Sequence, residues 1–554
     1  MKINYLGLRT LPTLLCLIFN LNMQAQEKRT LRIEDYPLWK SSPKIIAAET
    51  SDDGNWYVYQ TGNDSIVTIS LKKINNGPAY RFTANANPDI GIKSGFSQDS
   101  KHYAFISNDT LHLVALNSGK VKSFKGLKGF EFVGEGRYLL AEGEHTQDKS
   151  MCLKDLTNHN TVTINQLGQF AIDPAKKNIA VIVTKDNQQQ VKVISLKSGF
   201  PASLIVSSPE NGFSELTWNK TGTAFAFVES KGIKNRDSIC KIHVCTHFGS
   251  QPIVTSLNPG ISKNLPKSYT AMGDQLYLSA DGKQLFFYLT KNKAENPKTN
   301  LNNKSGIELW LPSDPILSPN ARLRRDDRQL WYQWSLAGDQ VMAVADSTFT
   351  NARLTGDDKN ALIYHKRDYL PRHKYGDAFM DVYIKDLATG STRLLLEKVW
   401  DQPNLVSLSP GGRYIAYYKA KNWWIYDIHQ DKHRCLTKGF STPIENTELN
   451  VSGTVPNYGS PGWLDNDTEL MIYDKNDIWL LSADGKKKLK MTNGSETNQT
   501  FRIPRLSNLR QTYPGLGKDW FTPRVYNGTE GIVIRSVNDE NLDNGLFLWT
   551  YKTG

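Results

Sequence analysis

The sequence predicts an all-β fold assembled from repeated four-stranded sheets, and three observations predict it. The first is a recurring phrase: a small polar turn, then a short strand of aromatic and β-branched residues. It reads Ser51-Asp-Asp-Gly-Asn-Trp-Tyr-Val-Tyr59 and returns as Ser97-Gln-Asp-Ser-Lys-His-Tyr-Ala-Phe105. Further copies begin at Gly134, Asp173, Asn219, Ser279, Ser409 and Leu464, and the early spacing is about 40–46 residues, the length of one four-stranded unit. The second is a partner phrase downstream, such as Leu111-His-Leu-Val-Ala-Leu-Asn-Ser-Gly119 or Val382-Tyr-Ile-Lys-Asp-Leu-Ala-Thr-Gly390. It alternates with period two and ends in Ser-Gly, Thr-Gly or Asp-Gly, a tight-turn signal. The third is that no long stretch carries the helical apolar period of about 3.6 residues.

Physics selects the arrangement of such units. A lone four-stranded sheet cannot bury both its faces, whereas radial stacking buries them against neighbours and leaves only short edges. The expected fold is therefore a β-propeller of about eight four-stranded blades, with seven or nine also compatible with the spacing. Two stacked all-β domains are the competing arrangement. The gap between the copies at 279 and 409 has room for an extra blade, for which Trp331 to Val344 is a degenerate candidate.

Composition fits this reading. The chain has 554 residues, 39% of them hydrophobic, enough for a sizeable core and too many for wholesale disorder. With 40 Gly and 24 Pro it is neither collagen-like nor low-complexity, and its 13 Trp and 24 Tyr favour strands. The formal charge of +12 is spread along the chain; the clusters Arg322–Arg325 and Lys486–Lys488 read as solvated faces, and no nucleic-acid module accompanies them. Five Cys do not make a disulfide scaffold, and Cys152, Cys240, Cys245 and Cys435 read mainly as ordinary buried thiols. A long-range disulfide stays open.

The first residues read as an address. Lys2 and Arg9 precede the apolar run Leu11 to Leu21, and Ala25 offers a small residue for cleavage before Gln26. The expected organisation is a signal peptide over 1–25, a lead-in segment over 26–45 and a propeller over 46–554. Losing Lys2 and Arg9 would leave a mature charge of 12 − 2 = +10. Later segments fall short of the ~18 apolar residues of a membrane span, so the mature chain is expected to be exported, periplasmic or secreted, without one.

Several passages together resemble the prolyl oligopeptidase family of serine peptidases. Leu31-Arg-Ile-Glu-Asp-Tyr-Pro-Leu-Trp39 resembles the segment before the first propeller strand in that family. Gly306-Ile-Glu-Leu-Trp310 with Asp314-Pro315 resembles its mid-propeller passage, and Cys435-Leu-Thr-Lys-Gly439 a blade ending. Tyr458-Gly-Ser-Pro-Gly-Trp463, Tyr473-Asp-Lys-Asn-Asp-Ile-Trp479 and Met491-Thr-Asn-Gly494 are similar to its last blade. Over roughly residues 30–554, the combination points to the N-terminal propeller of the dipeptidyl peptidase IV and acylaminoacyl-peptidase branch, with TolB-like blades. There the propeller limits access to a catalytic cavity, and an α/β-hydrolase domain supplies the chemistry.

That domain has no counterpart in the sequence. A hydrolase elbow needs G-x-S-x-G. Gly95-Phe-Ser97, Gly212-Phe-Ser214 and Gly439-Phe-Ser441 lack the second Gly, and Gly459-Ser-Pro-Gly462 has the wrong spacing. No catalytic residue is therefore assigned, binding residues are unknown, and neither metal nor cofactor is expected. His243, Cys245 and His247 alternate along one apparent strand, but three ligands on one strand rarely converge on one ion. His429 and His433 read as exposed turn residues. Asp52-Asp53, Asp357-Asp358 and Asp465/Asp467 lack a calcium-loop order and read as blade turns. Trp423-Trp424 and Trp331/Trp334 read as packing.

Two functions follow. The chain is a non-catalytic, substrate-gating propeller working with a separately encoded α/β-hydrolase domain, half of a split or truncated peptidase. Alternatively it is a stand-alone exported propeller that binds a peptide, a glycan or an envelope protein. An exposed apolar patch where a hydrolase would dock favours the first, and the terminal strands Gly531–Ser536 and Gly545–Tyr551 bear on it.

Overall fold

The computed structural model describes residue 32 and residues 44–551, apart from 64–65, 75–76, 86–91, 146–147, 232–238, 250, 268, 292–328, 366–368, 371–376, 402–404, 451–452, 466 and 505–524. The expected signal peptide, nearly all of the lead-in segment, the 306–315 passage and the 322–325 cluster lie outside the described residues. Two compact units divide the chain between Gly129 and Phe130.

The fold is an all-β propeller of about eight blades, since eight sheets have four antiparallel strands each in simple sequence order. The first unit holds two of them. One runs Lys44–Thr50, Trp56–Asn63, Ile66–Lys73, Ala79–Asn85; the next runs Ser94–Phe96, His102–Ser107, Thr110–Ala115, Val121–Lys125. Six more follow at 127–164, 167–208, 212–257, 269–345, 351–400 and 406–435. A ninth sheet repeats the meander over 462–490 and gains Val525–Tyr526 in parallel beside its first strand. A tenth has three strands, Gln499–Arg502, Ile532–Asn538 and Asn544–Trp549.

The recurring phrase is a hydrogen-bonded turn between the first and second strands of a sheet. Its first side chain accepts the backbone N–H five residues on: Ser51 from Trp56 at 3.0 Å, Ser97 from His102 at 2.9 Å, Asp173 from Asn178 at 3.0 Å. Asn219, Ser279 and Ser409 do the same for Ala224, Gln284 and Tyr414. The Asp two positions on accepts the Ser hydroxyl, as Asp53, Asp99 and Asp281 do at 2.6 Å. The fourth residue turns into the left-handed region, which suits Gly: Gly54, Gly222, Gly282 and Gly412 have φ of +67°, +68°, +71° and +79°. Asp53, Asp99 and Asp281 are therefore committed to local bonds.

The copies explain where the core sits. Most second strands are buried on both faces over their central residues; Phe225–Ser230 is buried throughout and Tyr414–Lys419 over its first four residues, whereas Trp56–Asn63 buries one face. Fourth strands such as Val121–Lys125 and Thr161–Ile164 are mostly exposed. Each fully buried aliphatic or aromatic side chain contributes about 1.5–3 kcal/mol, so the inner strands carry most of the stabilisation. The blade endings share a lock. Thr437 Oγ1 accepts the Trp423 N–H at 2.9 Å and donates to Asn422 at 3.0 Å. Thr492 Oγ1 accepts the Ile478 N–H at 3.0 Å and donates to buried Asp477 at 2.8 Å.

One assignment is corrected. Trp331 to Val344 is not an extra blade; Gln329–Ser335 and Gln340–Ala345 are the third and fourth strands of the sixth sheet. The additional blade is at 351–400, and its turn is Thr355-Gly-Asp-Asp-Lys-Asn-Ala-Leu-Ile363. The long connection between Lys291 and Gln329 lies inside the sixth sheet and breaks the repeat spacing.

Candidate functional site

Three places in the second unit combine unusual chemistry with unusual burial. The first is a polar chain on the fifth sheet. The register pairs Phe227 with His243 and His243 with Ser256, which puts their side chains on one face. His243 Nδ1 lies 2.8 Å from Ser256 Oγ, and Nε2 lies 3.0 Å from Glu229 Oε2. Asn211 Nδ2 holds the other Glu229 oxygen at 2.6 Å, and the Lys241 ammonium approaches to 3.6 Å. Burial would raise the Glu229 carboxyl, but the Asn211 and His243 bonds and nearby positive charge outweigh it and hold the pKa below the ordinary value. For His243 burial wins and lowers the pKa, against the pull of Glu229. Its ring stacks on Phe227 at 4.8 Å and 22°.

The second is the seam between the sixth and seventh sheets. Asp358 occupies the left-handed turn position with φ +58° and is 6% exposed. Tyr277 Oη lies 3.0 Å from both its oxygens, and the Ala280 N–H points at it from 3.4 Å. Burial pushes its pKa up to about 6; the Tyr277 and Ala280 bonds oppose this, and the charges of Asp357 and Asp281 add to it.

The third is the outer face of the tenth sheet. Cross-strand pairs Val533–Leu548 and Arg535–Leu546 lie on it, and Leu546 and Leu548 are 73% and 64% exposed. The opposite face, with Ile532, Ile534 and Trp549, is buried against Phe501 and the ninth sheet. Among the described residues Asn544–Trp549 pairs with Ile532–Asn538 on one side only and is the sheet's last strand, and it carries no charge. Proteins ordinarily protect such an edge with charge or Pro.

A β-bulge between Cys245 and His247 breaks the simple alternation of His243, Cys245 and His247. Cys245 is buried, and burial pushes its thiol up to about 12. Cys152, Cys245 and Cys435 are free thiols. His429 and His433 are exposed, and His433 Nδ1 meets the Tyr417 hydroxyl at 2.8 Å. Trp331, Trp334 and Trp423 are fully buried, so they are packing. Asp467 accepts the Gly411 N–H at 2.6 Å, joining the ninth sheet's turn to the eighth's. Among the described residues no group of three or more His, Cys, Asp or Glu is arranged to hold a metal, and no helix is long and apolar enough to cross a membrane.

Sequence reasoning did not find the Glu229–His243–Ser256 chain, whose spacings depend on hairpin lengths. Asp357-Asp358 is a blade turn, as read, but the burial of Asp358 against Tyr277 depends on the neighbouring sheet, although the phrase itself shows Asp where other copies have Gly.

The fold and these sites define an all-β propeller. No protein-family model matches the sequence, and no curated protein matches it. Among solved structures, the chain is similar to a eukaryotic initiation factor, with TM-score 0.34 and 11% identity over 71% of this chain and 88% of that one. It is similar to the β-propeller domain of the Trilobed protease from Pyrococcus furiosus, at 0.25 and 10%, over 65% and 100%. A prolyl endopeptidase structure gives 0.29 and 13%, over 69% and 54%. At these values the likenesses carry no argument about activity.

Proposed function

We propose that this chain is the exported, substrate-gating propeller of a serine peptidase of the prolyl oligopeptidase family, in the dipeptidyl peptidase IV and acylaminoacyl-peptidase branch. It acts with an α/β-hydrolase domain that performs the peptide-bond chemistry. The observation that carries the reading is the outer face of the tenth sheet. Val533, Leu546 and Leu548 are exposed apolar side chains around Arg535 on this face, beside an uncharged strand that has no further partner strand among the described residues. A face of this kind marks an interaction surface. The sequence passages that resemble the family support the identity of the partner, and the apolar run before Ala25 supports export.

On this reading the propeller selects substrates by size and charge, admitting short or extended peptides to the partner's cavity. The test immobilises the mature chain and passes the host's envelope proteins over it. Retained hydrolysis of dipeptide-p-nitroanilide substrates, blocked by a fluorophosphonate, is expected. The Leu546→Ser/Leu548→Ser chain should retain none. Retention of no such activity would refute the peptidase partnership. Equal retention by both chains would refute the docking face.

A further inference from the structure

The Glu229–His243–Ser256 chain has the order of parts that activates a serine. Glu229 accepts from Asn211 Nδ2 and faces the Lys241 ammonium, the surroundings of a carboxylate, which only accepts hydrogen bonds. The 3.0 Å contact at His243 Nε2 therefore places the ring N–H there. The Nδ1 lone pair is left facing Ser256 Oγ at 2.8 Å, so the serine hydroxyl is the donor. The base is 5% exposed, whereas the serine is exposed. Three adjacent strands hold the three side chains, and Phe227 fixes the ring from one side.

A second copy of part of this arrangement serves as an internal reference. In the second sheet His112 pairs with Ser123, its Nδ1 lies 2.9 Å from Ser123 Oγ, and its ring stacks on Phe105 at 4.8 Å and 22°. Ser123 is exposed as well. Ser107 stands two residues after Phe105, where Glu229 stands two residues after Phe227. The His–Ser pair thus recurs, while the carboxylate belongs to the fifth sheet's copy.

We propose that Ser256 is an activated nucleophile that accepts acyl groups from activated carboxylic esters, with His243 as its general base and Glu229 as the positioning residue. Ser256 Oγ bonds to the ester carbonyl carbon as its proton passes to His243 Nδ1. The carbon–oxygen bond to the leaving group breaks, and the leaving oxygen takes the proton back from the imidazolium. The product is an acyl-serine and a free alcohol or phenol. This site is separate from the peptide-bond chemistry assigned to the partner and does not depend on it.

The test treats the full mature chain with p-nitrophenyl acetate and locates the acetyl group by peptide mass mapping. General-base assistance is worth roughly a hundredfold or more. Both serines face a His Nδ1, so the comparison reports the carboxylate that fixes the ring tautomer; acetylation of Ser256 should outpace that of Ser123 by at least about tenfold, and Ser256→Ala should abolish the fast p-nitrophenolate release. The rate should fall with acid as His243 takes up a proton. The groups facing that ring are Glu229 and Lys241, and Glu229 favours the protonated ring. Glu229→Gln should lower the rate and move the pH midpoint down, which a purely structural role would not do. Circular dichroism confirms that each variant is folded. Absence of acetyl at Ser256, equal rates at Ser256 and Ser123, or an unmoved midpoint in folded Glu229→Gln would each overturn the proposal.

Discussion

Asp358→Asn should remove a pH dependence that the native chain builds into one blade seam. The Asp358 carboxyl is buried with neutral donors and two like charges nearby, and its pKa rises from 3.8 to about 6. The unfolded chain loses this proton near pH 4, while the folded chain keeps it until about pH 6. The folded state thus holds more protons in that window, and stability falls as pH rises through it. The group's contribution is greatest below pH 3.8 and is lost above about pH 6. At ~1.4 kcal/mol per pH unit, the interval amounts to about 3 kcal/mol. Asn keeps an oxygen for the Tyr277 hydroxyl and tolerates the left-handed backbone. Urea unfolding of both chains at pH 4, 5, 6 and 7.5 isolates the effect as a difference, because other carboxylates titrate alike in each. Relative to the native chain, Asp358→Asn should gain about 2.5 kcal/mol between pH 4 and 7.5, since the unfolded carboxyl is already partly ionised at pH 4. A difference that stays flat with pH would refute the reasoning.

Two further substitutions test the turn and the core. Gly412→Ala meets both an unfavourable φ of +79° and the Asp357 carboxylate in close contact, whereas Gly54→Ala at φ +67° meets nothing within 4 Å. Gly54→Ala should cost ~1 kcal/mol and Gly412→Ala clearly more, read by thermal unfolding; equal costs would mean that the contact at Asp357 relaxes freely. Trp463 is fully buried in the ninth sheet, and its Nε1 donates to Ser407 Oγ of the eighth at 2.9 Å. Trp463→Ala should cost about 3–5 kcal/mol in urea unfolding, with Trp463→Phe recovering part of it; a cost below ~1 kcal/mol would contradict this packing.

The turns were legible because their chemistry is local. Ser51, Ser97 and Ser279 bond within six residues of chain, so side-chain type and spacing report the structure directly. The seventh sheet was hidden for two physical reasons. The connection after Lys291 displaces the repeat, and Asp358 fills the place that Gly282 and Gly412 fill elsewhere. The stretch Trp331 to Val344, a candidate extra blade, lies within the sixth sheet because two separated hairpins share it; Trp331 and Trp334 are packing there, as expected. The candidate site was less legible still. Glu229, His243 and Ser256 meet only through pairing across three strands, and the bulge before His247 defeats a period-two reading of its neighbours. The terminal strands were visible as apolar sequence, but which face stays bare depends on the packing of Ile532, Ile534 and Trp549 against the ninth sheet.

The most direct test of the central claim is the peptidase activity retained on the immobilised mature chain. A fluorophosphonate-sensitive dipeptidyl or acylaminoacyl peptidase held by the native chain and lost with Leu546→Ser/Leu548→Ser is the predicted result. A native chain that holds no such activity would contradict the account of this propeller as a peptidase gate.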